Sequence, residues 1–166
     1  AQSIYPTAGI YRGIFRGLAE VAFADEMEHL AGPETVDEEL HIPDDESQRR
    51  LRFRLSPFSF FQTNTLATEQ LYGRIRCWVK ETAPSILYDL YGGSGGIAFT
   101  CADLVDHVYS VENVAEASED GRHNAAANAI DNVEFFTEKV KNYLLERERA
   151  GGLHHPDNLV VVDPPR

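Results

Sequence analysis

The stretch "SILYDLYGGSGGIAFT", residues 85–100, decides the fold of this chain. Its first half is a short apolar run, which predicts a buried strand over residues 85–91. Glycines at positions 92, 93, 95 and 96 follow at once, and they allow a sharp turn and a close approach of the backbone to a ligand. The apolar segment after them predicts a helix whose N-terminus faces that turn. The loop alone also fits a simple tight turn.

Outward from this loop, strands and helices alternate along the rest of the chain. This alternation predicts a parallel α/β sheet with right-handed crossovers. The predicted strands are "HVYSVE" (107–112), "NVEFFTE" (132–138) and "NLVVVD" (158–163), and the predicted helices are "GGIAFTCADLV" (95–105), "NVAEASEDGRHNAAANAI" (113–130) and "KVKNYLLERERAG" (139–151).

The segment before residue 85 is read less easily. Residues 64–83 predict a helix that Asn64 or Thr65 caps. The residues expected along its apolar face are Leu66, Leu71, Ile75 and Val79. The acidic stretch at 32–50 predicts turns and exposed connections, and "RLRFRLS", residues 50–56, predicts a short strand.

Length and composition limit the classes of protein that fit. A chain of 166 residues suggests one domain. It has no apolar run of about 20 residues and no signal-like N-terminus, so we expect a cytoplasmic protein without a membrane span. The chain does not begin with Met, which suggests a piece of a longer protein. The net charge of −12 repels nucleic acid, so any RNA partner must be bound through other regions or against this charge.

Cysteine and histidine usage predicts neither a disulfide nor a metal site. Cys77 and Cys101 form no CxxC pair, and each is expected to be a small buried residue in a reducing compartment. His154 and His155 are adjacent, but no third ligand accompanies them. We therefore predict no metal.

Acidic residues end two of the predicted strands. Glu112 lies about 20 residues after the glycine loop, where an acid accepts the hydroxyls of a ribose; a solvated strand-end acid is the alternative. Asp163 ends the last strand, where open α/β sheets place ligands. The loop and these acids together indicate a nucleoside-containing cofactor. Asp89, Gly93 and Gly95 form D-x-x-x-G-x-G, which resembles the motif of class I methyltransferases that bind S-adenosylmethionine more than a dinucleotide fingerprint.

A second set of motifs narrows the resemblance. In chain order these are "SPFSFFQTNT" (56–65), "DLYGGSGG" (89–96), "VYSVE" (108–112), "NAAANAIDNVEF" (124–135) and "VVVDPPR" (160–166). The set resembles the RNA uracil-C5 methyltransferases, which make 5-methyluridine in tRNA and ribosomal RNA, and it covers about residues 30–166. The combination of FFQ-x-N with D-L-Y-x-G-x-G is the most specific part.

The resemblance implies a role for each matching residue. Gln62 would reach the cofactor, Tyr91 and the loop glycines, with Asp89 before them, would cradle it, and Glu112 would hold the ribose. Asp163 would face both the methyl donor and the target base, as the one catalytic residue of this chain. Phe60 and Phe61 are expected to pack in the core.

Two positions depart from the family pattern. Gly92 stands where the family usually has Cys, a change that the loop should tolerate. Lys139 stands where many members have an acid, and the adjacent Glu138 is the nearest replacement. The adenine contacts at this point are therefore left open.

The resemblance also implies a division of the fold and of the chemistry. Residues 1–56 would be a β-containing segment of the preceding region, and residues 57–166 the first part of a Rossmann-like methyltransferase domain that stops after its fourth strand. The family's nucleophilic cysteine follows the fifth strand and its base lies near the C-terminus, so neither Cys77 nor Cys101 matches. This chain alone is not expected to methylate RNA. The alternatives are a class I enzyme acting on an amino group or a cytosine, and a non-catalytic module that binds S-adenosylmethionine or RNA.

Overall fold

The computed structural model describes residues 7–16, 24, 26–45, 47–152 and 155–164. Eight strands and four helices lie within these residues, and a short 3₁₀ turn, Ala102–Leu104, follows the second helix. The strands are β1 (Ile10–Ile14), β2 (Glu26–Ala31), β3 (Val36–Asp44), β4 (Ser47–Leu55), β5 (Ile86–Leu90), β6 (His107–Glu112), β7 (Val133–Thr137) and β8 (Asn158–Val162). The helices are α1 (Thr65–Thr82), α2 (Gly96–Cys101), α3 (Ala115–Ala127) and α4 (Val140–Arg149).

The four C-terminal strands form one parallel sheet in the order β7-β6-β5-β8. This confirms the predicted α/β class. The chain proceeds from β5 outward through β6 to β7, and then returns to the other side of β5 to form β8. The direction of the strand order therefore reverses between β5 and β8, and a ligand site is expected at the carboxyl ends of these two strands.

Side chains alternate between the two faces of this sheet, and each face has its own core. Leu87, Val108 and Phe135 belong to the larger cluster, which also contains residues of α1 and α2. Tyr88 and Val111 point to the other face, where they pack with residues of α4. Because helices cover both faces of the sheet, its strands are continuous apolar runs. Such runs are readily predicted from the sequence.

A hairpin of β3 and β4 contradicts the prediction for residues 32–50. The two strands pair antiparallel from Val36↔Leu55 to Asp44↔Ser47. Leu40 and Ile42 are fully buried, and each contributes about 2 kcal/mol to folding by leaving water. His41, which lies between them, is exposed on the opposite face of the strand. That alternation has the period of a half-buried strand, and the high charge of the stretch concealed it.

β1 and β2 form a separate two-stranded antiparallel sheet before this hairpin. The predicted boundary at residue 56 stays a prediction. Leu40 and Phe53, which precede it, pack in the same hydrophobic cluster as Ile75 and Phe99, which follow it. The β3–β4 hairpin therefore packs against α1 and α2, which cover one face of the parallel sheet.

Helix α1 begins as predicted, and Ile75 and Val79 of its predicted apolar face are buried, whereas the other two residues of that face are not. Asn64 is the N-cap, and its side chain accepts a hydrogen bond from the Ala67 N–H at 3.1 Å. Leu66 and Leu71 are 75% and 44% exposed, so their predicted place in the apolar face is wrong. The buried face consists of Thr68, Tyr72, Gly73, Ile75, Arg76 and Val79. Thr68 and Arg76 are polar, so the spacing of apolar residues alone did not reveal this face.

The two cysteines differ in their surroundings. Cys101 is buried at the end of α2, as predicted, and burial raises the pKa of its thiol to about 12. Cys77 is exposed on α1, so the prediction that it is buried is wrong. None of the helices within the described residues is long and apolar enough to cross a membrane.

Candidate functional site

The glycine loop after β5 contains three residues with left-handed backbone conformations. Gly93 and Gly95 have φ angles of 54° and 96°, which glycine adopts without strain. Tyr91 has a φ of 66°, which costs a residue with a side chain on the order of 1 kcal/mol or more. Its backbone is held there because the Tyr91 N–H donates to the Val111 carbonyl at 2.9 Å. The Tyr91 ring is thereby kept at the surface, 39% exposed.

Gly95 is required by the core as well as by its φ. A Cβ atom on Gly95 would lie 2.4 Å from the ring of Phe99. The next glycine is confined in the same way, because a Cβ on Gly96 would lie 2.5 Å from the Tyr72 hydroxyl. The turn into α2 therefore tolerates no side chain at either position, whether or not a ligand is bound.

Gly92 is confined by Ser110 of β6. A Cβ atom on Gly92 would lie 2.1 Å from the Ser110 Oγ and 3.1 Å from an Asp89 carboxylate oxygen. Ser110 is fully buried, and its hydroxyl has no hydrogen-bond partner among the described residues. The Ser110 side chain thus occupies the space that a cysteine at position 92 would need.

Glu112 is held through both carboxylate oxygens, one of which contacts the glycine loop. Oε2 accepts a hydrogen bond from the Gly93 N–H at 3.0 Å, and Oε1 accepts one from the Val114 N–H at 2.8 Å. Glu112 is half-buried at the end of β6. Each oxygen keeps a further lone pair, so the carboxylate is oriented but still able to accept a ligand hydroxyl.

Asp89 lies beneath the loop and is 1% exposed. Its carboxylate accepts a hydrogen bond from the Ala98 N–H, in the first turn of α2, at 3.0 Å. Burial raises the pKa of Asp89 to about 7, against the effect of that hydrogen bond, and the negative charges of Asp163 and Glu112 raise it further. The three predicted carboxylates are therefore close enough to interact.

Gln62 and Asp163 meet on the opposite side of the loop. The Gln62 Nε2 donates to an Asp163 carboxylate oxygen at 3.4 Å, although the two residues are far apart in sequence. Asp163 is exposed after β8, and its N–H donates to the Leu90 carbonyl of β5 at 3.5 Å. The predicted residues thus converge at the point where the strand order reverses.

Phe60 and Phe61 precede Gln62 and behave differently. Phe61 packs against Phe53, with ring centroids 5.3 Å apart, as predicted. Phe60 is 69% exposed, so its predicted place in the core is wrong. The Phe60 carbonyl oxygen faces the loop, 3.7 Å from where a Cβ on Gly93 would lie. The segment before α1 therefore lies directly over the glycine loop.

Comparison with known proteins agrees with this geometry. Residues 21–166 match the family described as tRNA (Uracil-5-)-methyltransferase. The chain belongs to this family. A 23S rRNA (uracil(747)-C(5))-methyltransferase of Halothiobacillus neapolitanus is 41% identical over 117 residues, which are 70% of this chain and 30% of that protein.

Solved structures resemble the chain in the same way. The crystal structure of Pyrococcus abyssi tRNA (uracil-54, C5)-methyltransferase in complex with S-adenosyl-L-homocysteine is 28% identical, has a TM-score of 0.56 and covers 77% of this chain and 29% of its own. A methyltransferase from Streptococcus mutans, 17% identical with a TM-score of 0.55, supports the fold over 99% of this chain and 40% of its own. The chain spans about 30% of the length of the curated relative reported above.

The second departure from the tRNA (uracil-5-)-methyltransferase pattern, Lys139, lies after β7. Lys139 is the exposed N-cap of α4. The adjacent Glu138 follows β7, and its N–H donates to the Glu112 carbonyl at 2.9 Å. An acid is thus present beside the Glu112 backbone, and its contact with adenine stays a prediction. His155 is exposed beside Asp157, while His154, Pro165 and Arg166 lie outside the described residues.

Tyr72 lies beside the candidate site, and sequence reasoning did not name it. It is buried on α1, with its hydroxyl beside Gly96. Burial raises the pKa of Tyr72, and the charges of Asp89 and Asp163 act in the same direction. The sequence signal that could have indicated Tyr72 is a tyrosine in the helix that directly follows the FFQ motif, on the side of that helix that is buried.

Proposed function

We propose that this chain binds S-adenosylmethionine and contributes the cofactor site for methyl transfer to C5 of a uridine in RNA. The observation that carries this proposal is the convergence of the loop Tyr91–Gly95, the oriented Glu112 carboxylate and the Gln62–Asp163 pair at the reversal of the strand order. Ligands of open α/β sheets bind at such a reversal.

The charges of the site favour a cofactor without phosphate groups. A dinucleotide site presents free helix N–H groups to a pyrophosphate. Here the Asp89 carboxylate already accepts the Ala98 N–H, and Asp163 and Glu112 are near enough to raise its pKa. A pyrophosphate would meet the carboxylates of Glu112 and Asp163, whereas the sulfonium of S-adenosylmethionine carries a positive charge that they attract.

The proposed roles of the residues follow from their positions. Glu112 accepts the ribose hydroxyls with the lone pairs that Gly93 and Val114 leave free. Tyr91 and the loop backbone enclose the cofactor, and Gln62 closes the site by its hydrogen bond to Asp163. Asp89 is buried, so it acts indirectly, by holding the first turn of α2 against the loop.

Two relatives support RNA as the substrate class. One is named a 23S rRNA methyltransferase and the other a tRNA methyltransferase, and both names specify C5 of uracil. Bound S-adenosylmethionine supplies a methyl group on a positively charged sulfur. In this chain, Asp163 is the side chain proposed to face both that methyl group and the base. We place the reaction in the cytoplasm.

A titration tests the cofactor site. We expect S-adenosylhomocysteine to bind the chain in calorimetry, and NAD to give no heat. Glu112→Gln should weaken binding by about 10- to 100-fold, because a charge-assisted hydrogen bond to ribose is lost. Glu116→Gln, an exposed acid on α3, is the matched control and should leave affinity unchanged. Equal affinities for the two variants would contradict the ribose assignment.

Deletion of the gene tests the substrate. Nucleosides from tRNA and ribosomal RNA of the parent and deletion strains are compared by mass spectrometry. We expect one 5-methyluridine to disappear and to return with the intact gene. Loss of a methylated cytosine or an amino-group methylation instead would assign the site to another class I methyltransferase.

A further inference from the structure

Helix α3 carries a row of polar side chains against the outer edge of β4. Asp120, Asn124 and Asn128 are four residues apart, so they share one face of the helix. Asp120 is 2% exposed and Asn124 is fully buried. A buried polar side chain destabilises the fold unless it is hydrogen-bonded. The hydrogen-bond partners of these three side chains therefore show what the row contributes to the structure.

The two asparagines act as a substitute for a neighbouring strand. Asn124 accepts the Arg54 N–H at 2.7 Å and donates to the Arg54 carbonyl at 3.1 Å. Asn128 repeats this with Arg52, at 2.9 Å and 2.7 Å. Each amide thus exchanges two hydrogen bonds with one residue, as paired residues in an antiparallel sheet do.

The match depends on the dimensions of the two elements. Four residues of a helix rise about 6 Å, and two residues of a strand span about 6.6 Å. Side chains at every fourth position of α3 therefore meet every second residue of β4. The third position of the row, Asp120, continues this register to Ser56, just after the end of β4.

Asp120 differs from the asparagines because its bonds go to the segment beyond the strand. One carboxylate oxygen accepts the Ser56 N–H and the Ser59 hydroxyl, both at 2.6 Å. The other oxygen accepts the Ser56 hydroxyl at 2.9 Å. The Ser59 N–H also donates to the Ser56 carbonyl at 3.0 Å, which closes a turn between the two serines.

This turn leads directly into the site. Phe60 follows Ser59, and its carbonyl faces Gly93 of the glycine loop. Gln62 comes two residues later and donates to Asp163. A shift of the turn would therefore move the residues that lie over the loop.

We propose that Asp120 is a positioning residue for the cofactor site: it fixes the Ser56–Ser59 turn and so holds residues 60–62 over the glycine loop. This inference rests on the proposed function for its consequence in binding. The asparagine pair holds the edge of β4, whereas Asp120 alone of the row holds the turn that leads to Gln62.

The choice of a carboxylate follows from the number of donors. Three donors converge on Asp120, and its two oxygens accept all of them. An amide offers one oxygen and directs an NH₂ group at the remaining donors. Asp120→Asn has almost the same shape, so it tests the hydrogen bonds without opening a cavity.

Amide hydrogen exchange of the full chain without cofactor is the first test. The variants are Asp120→Asn and Ser59→Ala, with Asn128→Ala as the matched control that removes a contact at the other end of the row. We expect exchange of the Ser56 and Ser59 N–H groups, which are hydrogen-bonded in this turn, to rise about tenfold or more in the first two variants and to stay unchanged in the control. Unchanged exchange of these two groups in Asp120→Asn and Ser59→Ala overturns the proposal. Equal effects of all three variants also overturn it, because the row would then be only a brace for β4.

Titration with S-adenosylhomocysteine is the second test. We expect Asp120→Asn and Ser59→Ala to bind about tenfold more weakly, and Asn128→Ala to bind within twofold of the original chain even where its melting temperature falls. If the variants with raised exchange bind unchanged, the turn does not position the site and the proposal fails. If the original chain does not bind the compound, the proposed function fails, and the exchange result alone then decides whether Asp120 holds the segment.

Discussion

Asp89 is buried and Asp44 is half-buried, and their environments shift their pKa values in opposite directions. Burial raises the pKa of Asp89 to about 7. Hydrogen bonds from Arg76 and Lys80 lower the pKa of Asp44 to about 2. The ordinary aspartate value for both is 3.8. The two carboxylates therefore contribute opposite pH dependences to the stability of one chain.

We predict that Asp89→Asn reduces the loss of stability between pH 5 and pH 8. Over this range the folded chain keeps a proton on Asp89 that the unfolded chain has released, so a rise in pH through about 7 destabilises the folded state. The free energy of unfolding in urea should fall on the order of 3 kcal/mol more in the original chain than in the variant. The Asn oxygen can still accept the Ala98 N–H. Parallel pH profiles would mean that Asp89 titrates near its ordinary value.

The pair Gly92 and Ser110 provides a second prediction about single side chains. Gly92→Ala should cost about 1–3 kcal/mol, because the new methyl group overlaps the Ser110 hydroxyl. Ser110→Ala should be neutral or stabilising, because it removes a buried hydroxyl without a described partner. In the double variant, the cost of Gly92→Ala should fall by about 1 kcal/mol. Denaturant unfolding measures this coupling, and additive effects would show that Ser110 does not limit position 92.

The β3–β4 hairpin is fixed to the rest of the fold at both its tip and its edge. At the tip, the buried Arg76 donates to Asp44 at 2.8 Å and to both Asp103 oxygens at 2.7 Å. Lys80 also bonds to Asp44. This network connects the hairpin with α1 and with the end of α2. It also explains why an arginine lies on the buried face of a helix.

We predict that Asp44→Asn removes stability at neutral pH and little at pH 2. The lowered pKa of Asp44 means that its contribution is complete above about pH 4 and is lost as the pH falls towards 2. The variant should therefore be about 2 kcal/mol less stable than the original at pH 7. The difference should shrink as the pH approaches 2. Asp45→Asn, at an exposed partner of Lys80, is the control and should change stability by less than about 1 kcal/mol. A deficit at pH 2 as large as at pH 7 would contradict this account.

Secondary-structure elements are predicted well from the sequence where their residues form a largely apolar run. β6 has the predicted bounds, His107–Glu112, because an apolar run in a sheet covered on both faces needs no further information. β3 was not predicted, because its buried Leu40 and Ile42 stand in a stretch rich in acids, and only the pairing with β4 shows that these two residues turn inward. The predicted face of α1 was half right: Ile75 and Val79 are buried, but Tyr72 and Arg76 complete the buried face instead of the predicted leucines. A periodicity of apolar residues alone cannot show these.

The same division applies to the candidate site. Its motif residues were named from the sequence because each glycine or acid has a local reason to follow a strand. Tyr72 and Asp120 were not named, since their importance arises from contacts with segments that are far away in the chain. Asp120, for example, bonds to serines more than 60 positions before it, and no spacing rule predicts such a pair.

At the level of the chain, we predict cofactor binding without methyl transfer. The family resemblance implies a covalent mechanism, in which a cysteine thiolate adds to C6 of uracil. Cys101 is buried with a raised pKa, and Cys77 is exposed on α1, outside the converging residues. Labelled S-adenosylmethionine and unmodified tRNA or ribosomal RNA should therefore give no labelled 5-methyluridine with these 166 residues alone. Label that survives Cys77→Ala and Cys101→Ala together would refute a covalent mechanism. Label that disappears with one of these changes would identify that cysteine as the nucleophile.

The row of side chains on α3 also affects how the chain is made. Arg52 and its partner Asn128 are 76 residues apart, so the outer edge of β4 leaves the ribosome long before the helix that pairs with it. At about 5–20 residues per second, this interval is roughly 4–15 seconds. An unpaired strand edge is prone to join other chains during that time. Charged side chains on an edge strand oppose such association, and the alternating arginines of β4, Arg50, Arg52 and Arg54, provide them until α3 is complete.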